Sequence, residues 1–203
     1  MSQTTMKIHL QVIIGSTRQG RFSEKPAKWI FAELEKEEGV TAELVDLRDY
    51  PLPFFDEPVS PMKLNGVYSD PAVTRWSEKV KQADAYVIIA PEYNHGYTAV
   101  LKNAIDHLYP EWNNKPVGFL SYGSVGGARV IEQLRLVAIE LQMLPIKQAI
   151  HIPLEVYIAT MGLENGPAKE VFNQFLRQGP RDIAGLFLDE LVKLARNASL
   201  LRN

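Results

Sequence analysis

"KIHLQVIIGSTRQGRFSEKPAKWIFAELEKEE", Lys7 to Glu38, changes its periodicity at a glycine. Lys7 to Ile14 is rich in β-branched residues and reads as a strand that stops at Gly15. Glu24 to Glu38 sets Trp29, Ile30, Ala32 and Leu34 among charges, as a helix does. The alternation then recurs. Strands are predicted at Thr41 to Leu47, Ala85 to Ala90, Pro116 to Tyr122 and Leu144 to Ile152. Helices are predicted at Pro71 to Gln82, Tyr97 to Leu108 and Ala128 to Leu141.

Strands alternating with helices imply a parallel sheet covered on both faces, because right-handed crossovers place the helices there. The fold class is therefore α/β, a doubly wound five-stranded parallel sheet in three αβα layers. Five strands suit the flavodoxin-like order 2-1-3-4-5, whose ligand crevice lies beyond the C-terminal strand ends, between strands one and three. The 203 residues contain no linker, repeat or low-complexity tract, so residues 1–203 read as one domain with a helical C-terminal extension at about 154–203. Within that extension Arg181 to Leu201 is amphipathic.

Composition narrows the chemistry. Hydrophobic residues make up 46% and charged residues 23%, and the net charge of -2 leaves no electrostatic footprint for nucleic acid. Without cysteine there is no thiolate nucleophile, disulfide or Cys-ligated metal, and four scattered histidines form no metal-binding pattern. Any redox chemistry must come from a cofactor. MSQTTMK at the N-terminus lacks an apolar signal region, and no apolar run approaches the roughly 18 residues that span a bilayer. The expected address is cytoplasmic, without membrane partners.

Three loops at strand ends carry unusual residues. Gly15 to Ser23, GSTRQGRFS, comes close to a P-loop, but Arg21 and Phe22 stand where Lys and Ser/Thr would be, which removes the magnesium ligand. What remains is a hydroxyl-rich, cationic loop at a helix N-terminus. There Ser16, Thr17, Arg18 and Ser23 suit a phosphate monoester. The plainer reading has Ser23 capping the helix and Arg18, Arg21 and Asp46 solvated.

PEYNHG, Pro91 to Gly96, is more elaborate than a strand-to-helix turn requires, and SYGSVGG, Ser121 to Gly127, lets backbone approach a flat ligand. In the 2-1-3-4-5 order all three loops meet at one crevice. A phosphate loop facing Tyr93, Asn94 and backbone amides matches a phosphorylated tricyclic ring, the shape of FMN. Glu92, if buried, requires an Arg or backbone N–H partner.

GSTR with Ser23, PEYNHG and YGSVGG together resemble the NADPH-dependent FMN reductase family over roughly Met6 to Ile152. The resemblance implies bound FMN, reduction by NADPH or NADH, and electron delivery to quinones or similar small acceptors such as flavins, azo compounds or metal oxyanions. It implies that Ser16, Arg18 and Ser23, with Thr17 by position, hold phosphate. Pro91, Glu92, Tyr93 and Asn94 would line the ring, and Ser121, Tyr122, Gly123 and Ser124 would flank it. The chemistry would be the cofactor's, with no catalytic side chain and no metal. It also implies a homodimer or homotetramer, for which the apolar helix faces near Leu101, Leu108, Leu134 and Leu141 are the candidate seam. Tyr50 to Pro58 reads as a sheet-edge cover or a subunit contact. The rivals are a flavodoxin-like electron carrier, for which -2 is a mild charge, and a redox-sensing module without turnover.

Overall fold

The computed structural model describes residues 7–178 and 182–202; the N-terminal stretch before Lys7 and Arg181 lie outside the described residues. Strands β1 (Ile8–Ile14), β2 (Val40–Asp46), β3 (Ala85–Pro91), β4 (Pro116–Tyr122) and β5 (Leu144–Ile152) pair in parallel in the order β2-β1-β3-β4-β5. The predicted order is the observed one. Every residue of β3 and β4 is buried, which explains why both read as unbroken apolar runs.

Alternate residues of these strands feed two cores. Leu10, Val12, Val87, Ile89 and Leu120 face one, under α1 (Glu24–Leu34) and α8 (Ile183–Arg202). Ile13, Tyr86, Ile88 and Phe119 face the other, under α3 (Pro71–Lys81), α4 (Ala99–Asp106) and α5 (Ala128–Glu140). Helix starts follow from local chemistry. The Asp70 carboxylate accepts from Ala72 N at 2.6 Å ahead of Pro71, and the Thr98 hydroxyl accepts from Leu101 N at 3.2 Å.

The C-terminal helices belong to this packing. Phe187 of α8 is buried against β4, where Gly118 leaves the room: a Cβ there would stand 2.4 Å from the ring. Between β5 and α8 the chain forms α6 (Leu154–Met161) and α7 (Asn165–Phe172), continued by a π-helical turn at Asn173–Arg177. Neither short helix was separable by periodicity, nor was α2 (Pro61–Leu64). Among the described residues no helix is long and apolar enough to cross a membrane.

One expectation is corrected. Leu101, Leu108, Leu134 and Leu141 are buried in the second core, so they pack on the sheet and are not free for a seam. The exposed apolar side chains of α5 are Leu136 and Ile139.

Candidate functional site

The ends of β1, β3 and β4 are brought level by their register, with Ile14 beside Ile89 and Pro91 beside Tyr122. Gly15 leaves β1 pressed on its neighbour: its N–H donates to Ile89 O at 2.9 Å, and a Cβ would lie 2.7 Å from that oxygen. The Thr98 hydroxyl donates to Gly15 O at 2.5 Å, tying the first loop to α4.

Within the loop the two arginines diverge. Arg21 folds inward, donating to Asp46 Oδ1 at 2.7 Å and also to Asp46 Oδ2, Ser16 O and Glu24. Burial alone would raise the Asp46 carboxyl, but the bonds and charge of Arg21 outweigh it and hold it below the ordinary aspartate value. Arg21 and Asp46 are thus a clamp from the loop to the end of β2, where the plainer reading left each of them solvated. Arg18 is exposed, and its guanidinium has no hydrogen bond or ion pair with the described residues. The Ser16 hydroxyl lies 3.1 Å from Tyr93 Oη. Ser23 occupies the cap position of α1 yet makes no side-chain cap bond; its hydroxyl is buried, 2.7 Å from Tyr122 Oη.

The second loop is a two-residue hairpin. Tyr93 and Gly96 exchange both backbone hydrogen bonds, at 2.9 and 3.0 Å, while Asn94 and His95 adopt φ of 51° and 70°. Two consecutive positive φ values are the signature of a type I′ turn. Asn94 and His95 are exposed at its tip, and Gln133 Nε2 donates to His95 O at 2.8 Å. Below the turn Glu92 has the arginine partner that burial demanded: Arg129 Nη1 donates to its Oε1 at 2.5 Å. The other oxygen, Oε2, is buried without a hydrogen-bond partner among the described residues.

In the third loop, Gly127 starts α5 at φ 71°, where a Cβ would collide with the Ser121 hydroxyl. That hydroxyl donates to Ala90 O at 2.5 Å inside the sheet. Gly123 sits so near Glu92 that a Cβ would come within 2.9 Å of the Glu92 Cβ. Tyr122 closes the corner. Burial pushes its phenol well above the usual tyrosine value, and its ring meets Phe22 edge-on at 4.8 Å and stacks with Tyr157 at 5.8 Å.

Two cavities share Arg18 and Tyr93 in their walls. One, of about 440 Å³, draws on all three loops through Arg18, Gly20, Glu92, Tyr122, Gly123 and Ser124, and is closed by Phe22, Lys25 and α6. The other, of about 480 Å³, lies between Ser16, Thr17 and the α4 start on one side and Leu52 and Phe54 on the other. Of the residues named from sequence, Ser16, Thr17, Arg18, Glu92, Tyr93, Tyr122, Gly123 and Ser124 line one or both. Pro91, Asn94, Ser23 and Ser121 line neither. Phe22, Lys25, Leu154, Tyr157 and Met161 line the three-loop cavity without having been named as site residues. Phe22 stands inside the GSTRQGRFS loop and Lys25 two residues beyond it, but nothing local marks α6 as a neighbour of a loop about 30 residues earlier.

A parallel sheet of this order, with three strand-end loops around one crevice, defines a flavodoxin-like cofactor-binding protein. Residues 6–155 match the model of the NADPH-dependent FMN reductase family, and the chain belongs to that family. It is an oxidoreductase that uses FMN, with NAD(P)H as reductant. It is 40% identical over 144 residues to an NAD(P)H-dependent FMN reductase of Schizosaccharomyces pombe, spanning 70% of this chain and 72% of that protein. A Solanum tuberosum NAD(P)H:quinone oxidoreductase is 34% identical over 109 residues, 52% of this chain and 53% of the other. Among solved structures, FerB of Paracoccus denitrificans, a flavoenzyme NAD(P)H:(acceptor) oxidoreductase, superposes with a TM-score of 0.62 over 92% of this chain and 98% of that one. At 23% identity it speaks for the fold.

Proposed function

We propose that the chain holds FMN in the three-loop cavity and delivers electrons from NAD(P)H to quinones or comparable small acceptors. The observation that carries this reading is a pair of unsatisfied groups in one cavity wall: the unengaged Arg18 guanidinium and the unpartnered, buried Oε2 of Glu92. A buried carboxylate oxygen without a donor costs free energy that a ligand N–H or O–H recovers. A free cation near a helix N-terminus that Ser23 leaves uncapped suits a phosphate. The residues present therefore fit the cofactor.

FMN, when bound, supplies the electron transfer that no side chain of this cysteine-free chain provides. The protein's own residues bind, orient and exclude water. Arg18 neutralises the phosphate, and the Ser16 and Thr17 hydroxyls of the same loop stand in the wall of the adjoining cavity. Arg21 and Asp46 keep that loop in shape. Arg129 fixes the Glu92 carboxylate so that Oε2 is the oxygen left to accept. Tyr93 and Tyr122 give the apolar wall, and Gly123 allows the third loop to close on Glu92. Ser23 acts indirectly, by anchoring the Tyr122 hydroxyl.

Quinones are the proposed acceptors because the potato relative is a quinone oxidoreductase and both cavities have aromatic walls. A cytoplasmic, homo-oligomeric enzyme completes the reading, with Leu136 and Ile139 of α5 as the apolar side chains available to a second copy. The test is optical: purified protein should carry the yellow absorption of flavin, lose it with NADPH, and regain it with a quinone and no second protein. Bleaching that requires a separate reductase would make the chain an electron carrier instead.

A further inference from the structure

The family match ends at residue 155, but the wall of the three-loop cavity does not. Leu154, Tyr157 and Met161 of α6 complete it. We infer that α6 is the acceptor-selecting element, and that it favours quinones carrying an apolar substituent over unsubstituted rings. The inference rests on the functional reading above and deepens it.

α6 is held from inside. Val156 and Thr160 are buried, Tyr157 meets Phe22 edge-on at 4.7 Å, and Lys25 of α1 donates to Thr160 O at 2.8 Å, Met161 O at 2.9 Å and Leu163 O. A cation on the last carbonyls of a helix is a stabilising cap, and here it fixes α6 beside the cavity that Lys25 itself lines. Leu154, Ile158 and Met161 follow the spacing of one helix face and are 43%, 60% and 56% exposed. Leu154 and Met161 belong to the cavity wall, so the stripe is continuous with the site: it begins inside the cavity and runs out onto the surface through Ile158. A bare ring beside the bound cofactor leaves this stripe in water. An alkyl chain attached to the ring covers it, which is favourable in proportion to the apolar area removed from water.

The experiment compares benzoquinone with its decyl-substituted analogue on the flavin-loaded protein. Equilibrium binding is read by quenching of tryptophan emission, and turnover by kcat and KM. The wild type should prefer the decyl analogue, and Ile158→Gln combined with Met161→Gln should reduce that preference about tenfold, in KM and in binding. Ile158→Val with Met161→Leu should restore it. A wild type indifferent to the decyl chain overturns the inference without recourse to any variant, as does a preference that survives the double substitution. A protein that takes up no FMN at all would sink the functional reading first, and this inference with it.

Discussion

Arg18 and Arg21 stand in one loop and serve opposite ends. Arg21 is consumed by Asp46, Ser16 O and Glu24, whereas the Arg18 guanidinium has no partner among the described residues. Replacing Arg18 by Ala should weaken FMN by about 1.5–3 kcal/mol, the scale of a hydrogen bond to a charged group, with no loss of thermal stability in the FMN-free protein. A fluorescence titration of FMN reads this directly, and an unchanged dissociation constant would remove Arg18 from the site. Residue types alone did not tell the two arginines apart. The topology does: β2 neighbours β1, so an acid ending β2 lies beside the loop that follows β1. Ser23 and Ser121 show the converse limit, since a hydroxyl in a motif is equally able to bond inward, as both do here.

The strands were legible as short apolar, β-branched runs and the main helices by a period of 3.6, and the order followed from the five-strand flavodoxin-like pattern. What was not legible was the conformation of the PEYNHG corner. Asn94 reads from sequence as a ring contact and His95 as a loop residue, and neither reading shows that both take positive φ. His95→Gly should therefore leave FMN affinity intact and His95→Val should cost about 1–3 kcal/mol in urea unfolding. Loss of FMN in the glycine variant would instead assign the imidazole to the site. The docking of α8 was equally hidden, because Gly118 gives no sign in a strand of which residue it admits. Gly118→Ala should destabilise by about 1–3 kcal/mol through overpacking on Phe187, measured in the same denaturant titration.

Across the molecule, two carboxylates at the β2 edge tie stability to pH. Burial would raise both, but Arg21 holds Asp46 low, and Lys79 with His9 holds Glu43 low. Their contribution is present above the ordinary carboxylate range near pH 4 and is lost as the pH falls through their depressed folded values. Asp46→Asn should lower the melting temperature at about pH 7, and the gap from wild type should close toward about pH 2. A gap that stays constant over that range would show that Asp46 is not ionically linked to folding.

The sheet also divides the molecule's indoles. Trp29 lies in the layer of α1 and α8, its Nε1 donating to Asn173 Oδ1 at 2.9 Å, while Trp76 and Trp112 lie across the sheet with 6.2 Å between ring centroids. Each layer thus carries its own optical reporter. With Phe substituted for one set at a time, the emission of the other follows a single layer through unfolding, and a two-state chain gives midpoints that coincide. Should the Trp29 trace melt earlier, the layer built by the C-terminal helices comes apart before the rest. The cavity wall that α6 supplies would then be the first part of the site to be lost on warming.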